Sequence, residues 1–153
     1  MTSSQQDCFV CQKHRGDETT PGGAVYRDEL TYASHIAMPK RQDTSYLGIL
    51  FVEPLRHVPG FGDLTPDEAE RVGLVASRLA RALQESEGAE HCYLHVLGHH
   101  VPHLHVWIVP RYPGTPEDLW GLRVGEWEDA PRGGPREIEA LCERVRKHLA
   151  LPG

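Results

Sequence analysis

The chain has no apolar run of about 18 residues, the length a membrane-crossing helix needs, so nothing in it reads as a membrane span. Cysteine is scarce. Four in 153 residues argue against a disulfide-stapled scaffold. A cationic excess is missing too: 16 Lys and Arg stand against 22 Asp and Glu, a formal charge of −6. Such a field recruits neither nucleic acid nor an anionic membrane, so a phosphate-bearing ligand has to be held by a local site. The opening "MTSSQQDCFVCQKHRG" lacks a basic start followed by a long apolar stretch. No secretory signal is therefore visible, and a cytoplasmic protein is expected.

What is present is the composition of a globular protein, 39% hydrophobic and 25% charged, in a length that fits one domain over residues 1–153. "AVYRDELTYASHIAMP" (24–39) reads as two short strands joined at the polar "RDEL", and "LGILFVEP" (47–54) as a third. "TPDEAERVGLVASRLARALQESEG" has every mark of a helix. Thr65 is its N-cap, Pro66 its first residue, Glu68 closes a capping box and Gly88 stops it. Its apolar stripe is Val72, Val75, Ala76, Leu79, Ala82 and Leu83. "HCYLHVLG" (91–98) and "HVPHLHVWIVP" (100–110) follow as strands, and a second helix runs from about Pro135 to Leu149 with Ile138, Leu141, Cys142, Val145 and Leu149 on its apolar side. An N-terminal segment (1–20) holds a CxxC, and a Pro-, Gly- and Trp-rich loop (112–134) shows no period. The order β-β-β-α-β-β-α gives an α+β domain with a mainly antiparallel sheet.

Six histidines fall between residues 91 and 105. Side chains alternate across a strand, so His103, His105, Trp107 and Val109 share one side while Leu104, Val106 and Ile108 face the core. On that reading the histidines line a surface or cleft. Two imidazoles at i and i+2 stand about 6–7 Å apart. They can act on one ligand or metal, and at least one of the two must be neutral because two buried cations repel. Chance histidines on a solvated strand are the plain alternative; the uninterrupted apolar face opposite favours a site.

"GHHVPHLHVWIVPR" (98–111) resembles the signature of the histidine triad (HIT) family, with Gly98, Val101, His103, Leu104, His105, Val106, Ile108, Val109, Pro110 and Arg111 in step. The CxxC, "VYRDE" (25–29), "LGILFVEPLRH" and the two helices sit where bacterial members carry their counterparts. The resemblance implies a five-stranded sheet with two helices, a homodimer, and a hydrolase or nucleotidyl transferase. Such an enzyme, of the phosphoramidase or dinucleoside polyphosphate hydrolase kind, acts at the α-phosphate of a nucleotide conjugate. It makes His105 the nucleophile and His103 its neighbour. A neutral imidazole is a competent nucleophile near pH 7, provided its other ring nitrogen donates to a fixed acceptor such as a backbone carbonyl.

The departure is Trp107, where the family carries its third histidine. Indole has one N–H, no acceptor and no accessible protonation change, so it cannot be a general acid; Trp107 is a candidate substrate contact that stacks on a base, or a bulky group that occludes the pocket. His99 and His100, at the places of the family's Gln and Ser/Thr, are candidates to contact phosphate or leaving group, and His95 shares their neighbourhood. The family's phosphate-binding Asn-x-Gly has no match. Ile36 and Leu50 are candidate base or ribose contacts, with packing an equal account of both, and Arg111 closes the motif as a ligand contact or an ion-pairing residue. Trp120 and Trp127 either cover the pocket or anchor the loop.

Cys8 and Cys11 alone are half of a tetrahedral zinc set, two buried thiols, or a redox pair. The resemblance implies zinc, completed by His57 and His103, with a structural role. Cys92 and Cys142 read as buried small hydrophobes, and His14, His35 and His148 as surface or packing residues. Two further readings stay open beside the enzyme: a nucleotide binder attenuated by Trp107, and a protein whose histidines serve mainly to bind metal.

Overall fold

The computed structural model describes residues 7–150. A short helix α1 (Phe9–Arg15) leads into β1 (Ala24–Arg27) and β2 (Thr31–His35). The turn between them is held by Asp28, whose Oδ1 accepts from the N–H groups of Leu30 (2.9 Å) and Thr31 (2.8 Å). Then follow β3 (Ser45–Tyr46), β4 (Leu50–Pro54), the long helix α2 (Pro66–Glu87), β5 (His91–His95), β6 (Val106–Arg111), β7 (Arg132–Gly133) and α3 (Pro135–Leu149). Five strands form one sheet in the order β1-β2-β4-β6-β5, every pair antiparallel; β3 and β7 make a separate two-stranded ribbon. Among the described residues, no helix is long and apolar enough to cross a membrane.

Helix α2 starts as its sequence dictates. Thr65 accepts from the Glu68 N–H, Glu68 reaches back to the Thr65 N–H at 2.9 Å, and Pro66 opens the first turn. Gly88 ends it in the left-handed conformation at φ 75°. The Arg56 guanidinium grips both Glu68 oxygens at 2.8 and 2.7 Å and is the main reason its carboxyl is held down to about 2. All six residues of the expected stripe are buried, and they meet Leu50, Val52, Val106 and Ile108 from the sheet. Helix α3 adds Ile138, Leu141, Cys142 and Val145 to the same core. Cys142 is buried as expected, whereas Cys92 is only half-buried.

Gly48 shows how closely the β3–β4 link approaches β6. It sits at φ 89°, and a Cβ there would lie 2.6 Å from the Tyr112 hydroxyl, which itself donates to the Leu47 carbonyl at 3.1 Å. Tyr46 donates across to the Pro110 carbonyl at 2.7 Å. The loop at 112–134 is ordered by two 3-10 turns and by β7. Trp127 packs against the core from it, so anchoring is its role, while Trp120 stays largely exposed.

Two strand expectations shorten. The strand expected at 91–98 ends at His95, and the one expected at 100–110 begins only at Val106. Residues 99–105 run as bends and coil, anchored where the Leu104 N–H donates to the Val58 carbonyl at 2.7 Å. His103 is therefore not on an open cleft side with His105. Its ring is fully buried, at 0% exposure, as is Leu104 beside it. Strict alternation holds only from His105 onward: His105 and Trp107 face the side away from α2 and α3, Val106 and Ile108 the core.

Candidate metal centre and adjoining cleft

The sheet register explains which side chains meet on the side away from α2 and α3. Leu50 pairs with Ile108, Phe51 with Trp107 and Val52 with Val106 across β4 and β6. Trp107 is also opposite His95 of β5, and Phe51 opposite Ser34 of β2. One cross-strand row thus reads His95, Trp107, Phe51, Ser34, and residues of one row touch. The His95 ring stacks on Trp107 (centroids 5.4 Å, 18° between planes), and Phe51 meets Trp107 edge-on at 4.6 Å and His105 at 5.1 Å. Phe51 and Trp107 of this row floor a cleft of about 330 Å³ whose walls include Phe9, Val10 and Lys13 of α1, Leu97 to Val101, and His105.

His105 is held in one tautomer. Its Nδ1 lies 2.7 Å from the carbonyl oxygen of His103, an atom that only accepts, so Nδ1 carries a hydrogen and, in the neutral ring, Nε2 keeps the lone pair. The next carbonyl-fixed ring, that of His103, is turned the other way. Its Nε2 donates to the Pro54 carbonyl at 2.9 Å, which leaves Nδ1 bare towards Cys8 Sγ (3.6 Å) and Cys11 Sγ (3.4 Å). Burial is the main cause that pushes the His103 imidazole down to about 4, outweighing the Pro54 hydrogen bond, so the ring is neutral near pH 7. His57 brings its Nδ1 to 3.3 Å from Cys11 Sγ.

Cys8, Cys11, His57 and His103 place their four ligand atoms within 4.8 Å of one another. Bond lengths of about 2.3 Å to sulfur and 2.0–2.1 Å to nitrogen put the edges of a zinc tetrahedron near 3.6 Å. The observed sulfur–nitrogen separations of 3.3 to 3.6 Å match such an edge. Two thiols, the bare Nδ1 of His103, a second imidazole nitrogen from His57, and the burial of Cys8, Cys11 and His103 fit zinc. Burial first, and then the neighbouring Cys8, raise the Cys11 thiol to about 11. Metal binding here must therefore displace protons.

The N-terminal helix brings a second, unexpected cluster. Lys13 donates to Glu53 Oε1 at 2.8 Å and to Ser34 Oγ at 3.2 Å, and His14 Nε2 contacts Glu53 Oε2 at 3.0 Å. Glu53 has no exposed surface and Lys13 only 4%. Burial pushes the Glu53 carboxyl up, but His14 and Lys13 outweigh it and keep it below the usual range. His14 is thus part of a buried polar cluster. His35 is also buried; its Nδ1 donates to the Ile36 carbonyl at 3.0 Å and its Nε2 accepts from the Gly48 N–H at 3.1 Å. His148 pairs with Glu85 at 2.7 Å on the surface.

The remaining expected contacts divide. His99 and His100 are exposed on the rim of the cleft. Leu50 is fully buried in the core and Ile36 does not line the cleft; their chain neighbours Phe51 and Ala37 do. Leu50 faces α2 because it and Phe51 lie on opposite sides of β4. Arg111 lies outside the cleft, its guanidinium 3.8 Å over the Trp120 ring and 3.6 Å from Glu90. His95 Nδ1 and Trp107 Nε1 are buried with no hydrogen-bond partner among the described residues. The sequence reading missed the Lys13–Glu53 pair; the available signal was a lone carboxylate interrupting the apolar run of β4.

Comparisons with known proteins agree with this architecture. None of the curated proteins compared with the sequence matches it. Solved structures do. A zinc-bound histidine triad family protein from Mycobacterium smegmatis superposes with a TM-score of 0.69 at 23% identity, covering 95% of each chain. A Hit-like protein involved in cell-cycle regulation from Bartonella henselae gives 0.67 at 18% identity, over 94% of this chain and 97% of that one. A histidine triad nucleotide-binding protein from Sulfolobus tokodaii gives 0.66 at 20%, over 93% and 91%. The HIT domain model matches residues 18–114, more than half of the chain, and with the sheet and the 98–111 segment it establishes that this protein belongs to the histidine triad family.

Proposed function

We propose that the protein is a nucleotide hydrolase or nucleotidyl transferase that works through a nucleotide carried on His105. The observation that carries this reading is the 2.7 Å contact from His105 Nδ1 to the His103 carbonyl, which leaves Nε2 as a nucleophile in a ring lining the cleft. The nucleoside part of a conjugate packs on the apolar floor at Phe51 and Trp107, with Ala37 beside it. His99 and His100 reach phosphate oxygens from the rim, and Lys13 lines the same cleft. The nucleotide-binding description of the Sulfolobus protein supports the ligand class.

Zinc on Cys8, Cys11, His57 and His103 supplies cross-linking between α1 and the segment before β6, and the zinc-bound mycobacterial relative supports that identity. A second copy would extend the sheet at β5, its edge strand, where Leu94 is exposed.

Trp107 supports a second reading, a binder that no longer turns nucleotide over. One experiment separates the two. Wild type and His105→Ala are mixed with a nucleoside monophosphate 4-nitrophenyl ester, quenched in alkali, where a phosphorus–nitrogen bond survives, and weighed intact. One nucleotidyl mass on wild type and none on His105→Ala is the expected result. Tight nucleotide binding with no adduct and no turnover would establish the binder instead.

A further inference from the structure

The chemistry of the cleft decides which conjugates can react in it. A group leaving phosphorus on nitrogen, or on a strongly basic oxygen, needs a proton as the bond breaks; a weakly basic oxyanion does not. Among the described residues, no side chain held in place around His105 offers that proton. Trp107 lines the cleft one alternation beyond His105, with ring centroids 6.1 Å apart, but its indole N–H does not ionise and its Nε1 is shut off from solvent. The Lys13 ammonium is committed to Glu53 and Ser34, and both Glu53 oxygens are engaged. His99 and His100 lie on the exposed rim with their ring centroids 6.2 Å apart, and no hydrogen bond to another described residue orients either ring. Around the nucleophile itself the surface is Phe51 and Trp107.

Resting on the reading of His105 as nucleophile, we infer that the site selects nucleotide conjugates whose leaving group departs as a weakly basic oxyanion (phosphoryl, acyl or aryl oxygen) over phosphoramidates and alkyl esters. In the first step the Nε2 lone pair bonds to the α-phosphorus as the bond from phosphorus to the leaving oxygen breaks, and that bond's electron pair stays on the departing oxygen. No proton moves, and the ring becomes a cation whose Nδ1–H still faces the His103 carbonyl. In the second step water bonds to phosphorus, the phosphorus–nitrogen bond breaks with its pair returning to Nε2, and the water proton passes to solvent. Trp107 thereby sets specificity by what it withholds.

The test compares kcat/KM for a 4-nitrophenyl ester and an alkylamine phosphoramidate of the same nucleoside monophosphate. Positioned acid catalysis is worth about 10²–10⁴ in rate, so wild type should favour the ester by more than about 100-fold. Trp107→His should raise the phosphoramidate rate by about 100-fold and move the ester rate less than about tenfold. Trp107→Gln, which cannot donate a proton to the leaving group, should keep the wild-type preference; metal content and Tm check that both variants fold. Wild type turning over the two substrates within tenfold of each other overturns the inference, and so does a His99→Ala/His100→Ala variant that loses only the phosphoramidate reaction. An adduct on His105 from both substrates at similar rates leaves the nucleophile standing and removes the selectivity. No adduct from either removes both.

Discussion

His103 and His105 are two residues apart and have opposite surroundings. The first is sealed among Cys8, Cys11, His57 and the Pro54 carbonyl; the second lines an aromatic cleft. The difference is backbone, not residue type. Coil at 101–105 turns His103 inward, and the regular pleat that begins at Val106 keeps His105 and Trp107 on the open side. Identical imidazoles thus become a metal ligand and a candidate nucleophile according to which ring nitrogen a main-chain carbonyl occupies: Nε2 in His103, Nδ1 in His105.

The strongest way to break this contrast is to remove the metal. Cys8→Ser or His57→Ala should lose most bound zinc and destabilise by several kcal/mol, a drop of about 10 °C in Tm at about 2–4 °C per kcal/mol for this size of protein. Nucleotide affinity should fall with it, since α1 carries both Cys11 and the cleft residues Phe9, Val10 and Lys13. Full zinc content in Cys8→Ser, measured by metal analysis, would refute the quartet.

Next in size is the buried pair on the cleft side of α1. Lys13→Met leaves Glu53 Oε1 buried without its cation, with only His14 on Oε2, and should cost about 3–5 kcal/mol, whereas Lys13→Met with Glu53→Leu should recover most of that loss. Denaturant melts of the two variants decide it; equal loss in both would mean that packing, not charge, sets the effect.

The smallest effect is graded by pH and concerns the metal-free protein. His103 titrates near 4 when folded but near 6.5 when unfolded, so the unfolded chain holds the extra proton between those values. Stability should therefore fall as pH drops from about 6.5 towards 4. Glu53 and Glu68, both held below their ordinary 4.5, continue the decline below that point, Glu68 down to about 2. Thermal melts across this range in the metal-free state should show a monotonic loss; a flat profile between 6.5 and 4 would mean that His103 is not buried neutral.

The helices were legible because caps and a 3.6-residue stripe are local signals that packing reinforced. The sheet strands were legible in place but not in length, since "HVPHLHVWIVP" alternates on paper while the chain bends before Val106. Alternation alone therefore put His103 on the wrong side. The zinc quartet came from resemblance, because no spacing rule ties Cys8 and Cys11 to side chains 46 and 92 residues further on. Of the Lys13–Glu53 pair only the carboxylate stood out, in the apolar run of β4; nothing local marked Lys13 as its partner, and only the docking of α1 on the sheet brings the two together. β3 and β7, two residues each, are too short to carry a period.

Since the group that fixes the His105 tautomer belongs to the main chain, no exchange of side chain at position 103 can delete it. A cysteine there could still bind metal and would present the same oxygen. What the position demands is therefore a ligand of any kind that keeps the peptide plane still, and the orientation of the His105 ring is inherited from that plane.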